Sequence, residues 1–218
     1  TVGCIVVGGE PDVAFLRIRG KIRNISGVKL PHYICRRPPG THCIQYGYEG
    51  LILLTVDLFQ LYGDIVYLFQ SMTSEEIWMR DPVLQCKEEL LIYKEIFEFI
   101  SEDLKKIECK NGIITEGAAF LPELVSSANV AVNKYISITP TKDFQISHYK
   151  EREWVPYVLE GCSDKETAFD NWMSRDVLFA EAVRKQCGEF GYISLVNDGE
   201  ISVNELVGKV ISHFHLCS

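Results

Sequence analysis

From Pro82 to its end the chain alternates short β-branched runs with helical stretches, and this alternation limits the fold more than any other feature. Pro82 suits the first turn of a helix, with Asp81 before it as a cap. Tyr93, Ile96, Phe97, Ile100, Leu104 and Ile107 then recur at three- and four-residue steps, which predicts an amphipathic helix to about Lys106. Asn111-Gly112 turns the chain into a strand, Ile113-Ile114-Thr115, ended by Glu116-Gly117. A helix is predicted from Pro122, a strand at 135–138 stopped by Thr139-Pro140, and a polar helix from Lys142. A further helix spans about 165–187, and the next strand, 192–196, ends in the turn Asn197-Asp198-Gly199. Ser202 and Glu205 have capping-box spacing for a last helix through about His213. Near the start, Cys4-Ile5-Val6-Val7 supplies a first strand.

Strands joined through helices need crossovers, which are right-handed and lay helices over both faces of a parallel sheet. The expectation is therefore an α/β fold, three-layered, with a mostly parallel sheet. Ligands in such sheets bind beyond the carboxyl ends of the strands. Three polar clusters fall there: Glu116-Gly117, Thr139-Pro140-Thr141 and Asn197-Asp198-Gly199.

The 218 residues fit a single domain, 1–218, and 47% apolar with 24% charged residues is a globular balance rather than a disordered or fibrous one. Thirty acids against 22 bases give a net charge of −8, which argues against a nucleic-acid partner. The charge is uneven. Residues 1–70 hold seven bases and five acids, the remainder 15 and 25. The most apolar stretch, 51–70, is interrupted by Asp57, Gln60, Gly63 and Asp64, so it does not read as a membrane span. The opening TVGCIVVGG lacks the basic start and long apolar run of a secretory signal. A soluble, cytoplasmic protein without a membrane partner is expected. Thr1 in place of methionine suggests a processed or incomplete amino terminus.

Eight cysteines are scattered without a C-x-x-C pair, so they are expected to be reduced, mostly buried thiols rather than zinc ligands or a disulfide scaffold. His213 and His215 stand two apart in a predicted helix, about 200° around its axis, which does not favour a metal site.

Gly8-Gly9-Glu10-Pro11 follows the first strand in the position of a phosphate loop. A working loop continues to G-K-[S/T], whose lysine neutralises phosphate and whose hydroxyl holds magnesium. Here Asp12-Val13-Ala14-Phe15-Leu16-Arg17 follows, and the pair Gly20-Lys21 lies twelve residues past Gly8 with Ile22 behind it.

The segments IWMRDPVLQCKEELLIYKEIFEFISEDL, GIITEGAAFLPELV, SITPTKDFQISHYKEREWV, AFDNWMSRDVLFAEAV and YISLVNDGEISVNELVGKVISHF resemble a group of bacterial P-loop kinase-like proteins. These are similar in outline to the adenylate and shikimate kinases of the P-loop NTPase superfamily. The resemblance covers roughly 73–214. It implies a P-loop NTPase fold, ATP and magnesium (Mg2+) as cofactors, and phosphoryl transfer to a small-molecule acceptor. By that resemblance Glu116 takes the place of the strand-end carboxylate that orients magnesium, directly or through water, or serves as base. The stretch 143–175 takes the place of a lid, from which Lys150, Arg152 and Arg175 would close over the transferring phosphate. Gly8 and Gly9 would stand in the phosphate loop, and Asn197, Asp198 and Gly199 in the loop beside the adenine. Arg80 and Asp81 beside Trp78 are candidates for holding the acceptor. A solvated turn glutamate, ordinary surface charges and a plain strand-to-helix turn are the competing readings of these residues.

The sequence departs from the pattern where it matters most. Ala14 stands at the loop glycine, Phe15 at the lysine and Leu16 at the hydroxyl residue. Loss of the lysine and the hydroxyl together puts roughly 10³-fold in rate at stake. Three accounts fit: a degenerate member, a substitute phosphate site in the basic run 17–23, or a shifted reading frame over the first seventy residues. Sequencing the encoding DNA tests the last. The leading expectation is an ATP-dependent small-molecule kinase, intact or impaired. The alternative is a non-catalytic nucleotide-binding or interaction module on the same scaffold.

Overall fold

The computed structural model describes the backbone of six strands within 1–70, and residues 71–105 and 113–215. The strands are β1 (Gly3–Gly8), β2 (Phe15–Ile18), β3 (Lys21–Asn24), β4 (His32–Arg36), β5 (His42–Tyr48), β6 (Leu51–Val56), β7 (Ile113–Glu116), β8 (Tyr135–Pro140) and β9 (Ile193–Asn197). The helices among the described residues are α1 (Ser74–Trp78), α2 (Pro82–Lys105), α3 (Pro122–Ser127), α4 (Lys142–Lys150), α5 (Val155–Val158), α6 (Lys165–Phe190) and α7 (Val203–Phe214).

The helix ends follow the sequence chemistry. Asp81 Oδ1 accepts from the Val83 and Leu84 amides at 2.9 and 3.0 Å. Ser202 and Glu205 form the reciprocal capping box at the start of α7. Asp164 caps α6 through the Glu166 and Thr167 amides, and Gly191 ends it at φ +75°.

Seven strands form one sheet in the order β4-β5-β6-β7-β1-β8-β9, and β2-β3 is a separate hairpin. The sheet is mixed, not mostly parallel as expected. Only β6–β7 and β8–β9 are parallel, while β4–β5, β5–β6, β1–β7 and β1–β8 are antiparallel. The β5–β6 reversal has a simple cause: Tyr48 pairs with Leu51, and a two-residue connection permits only an antiparallel neighbour. The direction of β1 has no such local signal, because an apolar run suits a strand of either direction.

Helices cover both faces at β8–β9. Side chains alternate along a strand, so Tyr135, Ser137 and Thr139 share the face toward α6, where Cys187 Sγ donates to Ser137 Oγ at 3.3 Å. Ile136 looks the other way, toward α7. Two cores result. The larger joins Ile96 and Ile100 of α2, Phe120, Val125, Tyr135 and Tyr192 with Phe179, Val183 and Cys187 of α6. The smaller joins Tyr149, Val155 and Leu159 with Phe169, Trp172 and Met173 of α6, with Trp78 packed alongside.

Tyr135 is wholly buried, and its hydroxyl donates to the Phe120 carbonyl at 2.9 Å. Tyr135→Phe strands that acceptor, so urea unfolding should show a loss of about 1–3 kcal/mol.

Candidate functional site

The carboxyl ends of β7, β8 and β9 lie along one edge of the sheet. Pro140 pairs with Asn197 across β8–β9, while β1 places Ile5 opposite Glu116 and Gly3 opposite Ile138. Half-buried Glu116, Thr139-Pro140 and Asn197 therefore share this edge with the start of β1. Gly8 pairs with Ile113, three residues along, so it stands about 10 Å away toward the opposite edge. The antiparallel course of β1 separates Gly8 from the residues expected beside it. Gly9 lies outside the described residues.

At the end of β9 the predicted turn is present. Asn197 Oδ1 accepts from the Gly199 amide at 3.1 Å, and Asp198 Oδ1 accepts from the Glu200 amide at 2.9 Å. The Asn197 carbonyl accepts from the Thr141 amide at 2.9 Å and ties this turn to the start of α4. Gly199 has φ +94°, and a Cβ there would fall 2.6 Å from the Phe144 ring. Turn chemistry thus accounts for all three residues without a ligand.

The segment expected as a lid, 143–175, is built into the smaller core. Lys150 is exposed at the end of α4. The Arg152 guanidinium stacks 5.2 Å from the Tyr149 ring and 5.5 Å from the Trp154 ring. Arg175 lies over Trp78 at 5.1 Å, donates from Nε to Asp176 Oδ1 at 2.8 Å, and has Glu89 Oε2 at 3.2 Å. Arg80 pairs with Glu88 at 2.7 Å. Asp81 caps α2. Arg152, Arg175 and Arg80 are thus engaged by the protein itself.

Two features at this end of the molecule were not anticipated. The first is Arg184 of α6, whose Nη1 donates to Thr139 Oγ1 at 3.1 Å and lies 3.4 Å from the Pro140 carbonyl. Helical periodicity places it on the same side of α6 as Ala180, but nothing in the sequence shows which strand end it reaches. The second is the polar belt between α2 and α6. Tyr93 Oη donates to Glu89 Oε1 at 3.3 Å, while Glu89 Oε2 is close to Arg175 without a hydrogen bond of good angle. Glu89 and Arg175 keep only 16% and 17% of their side-chain surface. Burial pushes the Glu89 carboxyl up to about 7, against the pull of Arg175 and with the repulsion of Asp176. Burial opposes the charge on Arg175, but Glu89 and Asp176 hold its pKa above the usual value.

A groove of about 590 Å³ lies between β9 and α7, lined by Ile136, Ile193, Leu195 and Ile201 with Glu205 and Lys209. It opens on a sheet face rather than at the carboxyl edge. Among the described residues no group of three or more histidine, cysteine and carboxylate side chains could hold a metal ion. Magnesium commonly keeps its waters and needs only one or two carboxylates plus substrate phosphates, so Glu116 remains a fitting donor. Among the described cysteines, Cys86, Cys162 and Cys187 are free and buried. No described helix is long and apolar enough to cross a membrane.

No family model, curated protein or solved structure matches the chain.

The pKa of Glu89 is raised on folding, so the folded state binds its proton more tightly than the unfolded state does. Its contribution to stability is full below about pH 4.5 and is lost as pH rises through about 7. The melting temperature of the native chain should therefore fall from pH 5 to pH 7.5 more steeply than that of Glu89→Gln, as followed by circular dichroism. Gly199→Ala must either leave the left-handed region or displace Phe144, so denaturant titration should register a loss of about 1–3 kcal/mol.

Proposed function

We propose that the chain is an ATP-dependent small-molecule kinase of P-loop type, impaired to the extent that its amino-terminal loop lacks G-K-[S/T]. The observation that carries this reading is the gathering of polar groups at one sheet edge. Glu116, Thr139, Arg184 and Asn197 stand at or beside the carboxyl ends of β7, β8 and β9, where open α/β sheets bind ligands. Helices on both faces at β8–β9 agree with a three-layer arrangement, which belongs to this proposal together with the P-loop relationship.

In this reading the reaction is in-line transfer of a terminal phosphoryl group to a small acceptor. Positioning and charge neutralisation dominate such chemistry, so the protein's share lies in where its charges stand. Glu116 fits as the carboxylate that orients magnesium or a bound water. Magnesium, when present, would neutralise phosphate charge. Arg152 and Arg175 are held by aromatic rings and carboxylates, so their part is to keep the helices above the edge in place. Arg184 is the better candidate for the bound phosphates.

A second reading, a nucleotide-binding or interaction module without catalysis, is favoured by two observations. G-K-[S/T] is absent, and Gly8 stands toward the sheet edge opposite Glu116.

Calorimetry of ATP with and without magnesium, on the native chain and on Glu116→Gln, separates these readings. The kinase reading expects magnesium-dependent binding with Kd in the micromolar range (about −8 kcal/mol at 1 μM), weakened by the substitution. Binding that ignores both magnesium and the substitution supports the module. No binding at millimolar ATP removes both.

A further inference from the structure

The arginines above the sheet edge fall into two groups. Arg80 is neutralised by Glu88, Arg175 by Glu89 and Asp176, and Arg152 is sandwiched against Tyr149 and Trp154. Arg184 differs from all three. It is half-buried, yet no carboxylate or aromatic ring of the described residues pairs with it. Its partners are neutral oxygens, the Thr139 hydroxyl and the Pro140 carbonyl, and both are met by Nη1 alone.

The remaining donors, on Nε and Nη2, have no acceptor among the described residues, and neither atom is sealed off from solvent. A guanidinium is a planar fork with five N–H donors, suited to two oxygens at once. Here one nitrogen anchors the head and the others stay available. Thr139 is wholly buried, so the anchor is fixed in the fold. The side chain is thus ordered before any ligand arrives, which lowers the entropic cost of binding. The chain carries a net charge of −8, so an anion approaching it needs a local cation.

We propose that Arg184 is the anion-recognition residue of the carboxyl-edge site, and that it takes a multiply charged oxyanion, a polyphosphate or a polycarboxylate. The proposal rests on reading that edge as the ligand site, and it does not require the ligand to be ATP.

Calorimetry on the full chain, at constant ionic strength, with tripolyphosphate and separately with citrate tests it. One of the two should bind with one-to-one stoichiometry, and which one does identifies the source of the oxyanion. Arg184→Met should weaken that binding by about tenfold or more, because charge-assisted hydrogen bonds are lost. Arg184→Lys should recover part of the loss, since it keeps the charge without the fork. Thr139→Val, of similar shape, should also weaken binding by freeing the guanidinium. Melting curves establish which variants are folded. If Arg184→Met is not, the decision passes to Arg184→Lys and Thr139→Val.

The proposal falls if neither anion binds the native chain below about 10 mM, or if the folded variants bind as the native chain does. Tripolyphosphate binding that depends on Arg184, without any binding of ATP, keeps this inference and removes the kinase reading. ATP binding indifferent to Arg184→Met does the reverse.

Discussion

The 26 residues of α6 form one uninterrupted helix, about 39 Å long, and both cores are packed against it. Its amino-terminal half carries Phe169, Trp172 and Met173 into the smaller core, and its carboxyl-terminal half carries Phe179, Val183 and Cys187 into the larger. Between them lie Arg175 and Asp176, on a stretch that meets Glu89 and Tyr93 of α2. Arg175 paired with Asp176, and with Glu89 beside it, spans that joint. Removing one partner from a buried pair typically costs about 3–5 kcal/mol, because the other charge is left uncompensated. Trp78 stacked on Trp172 at 4.8 Å, and the Asn171 amide donating to the Trp78 carbonyl at 3.0 Å, hold α1 to the same helix.

That arrangement changes what the charged residues near the sheet edge can do. By the resemblance Arg152 and Arg175 would close over a ligand, yet each is held by its neighbours, some local and some distant. Trp154 is two residues from Arg152, whereas Glu89 is 86 positions from Arg175. Arg184, seemingly a plain helix residue, is the one that reaches a strand end. The functional weight of a cation depends on whether its own fold has already neutralised it.

Much of the second half of the chain was legible. Asp81-Pro82, Asn197-Asp198-Gly199 and Ser202 with Glu205 act through bonds to near neighbours, so the starts of α2 and α7 and the end of β9 follow from a few residues each, whereas β8 runs on through Thr139-Pro140, where a stop was expected. The apolar face of α2 followed as well, since Ile96, Ile100 and Leu104 repeat at helical steps. Most of the candidate site was not legible. Glu116 stands at the expected strand end, but the approach of Glu89 and Trp78 to Arg175 and the anchor of Arg184 arise from contacts across the fold. The antiparallel β1, which takes Gly8 away from Glu116, has no counterpart in any local pattern.

The sequence by itself marked the starts of α2, α3, α4, α6 and α7 and the places of β7, β8 and β9 to within a few residues, because capping, turn chemistry and side-chain periodicity act over three or four residues; α5 was not among the expected elements. Tertiary structure alone decided the direction of β1, the approach of Glu89 to Arg175 and the anchoring of Arg184 at Thr139. The physical reason is range. An apolar strand can pair in either direction, and a guanidinium donates to whichever oxygen the packing brings to it. Both are therefore set by the assembled layers, as where α6 brings Arg184 to Thr139.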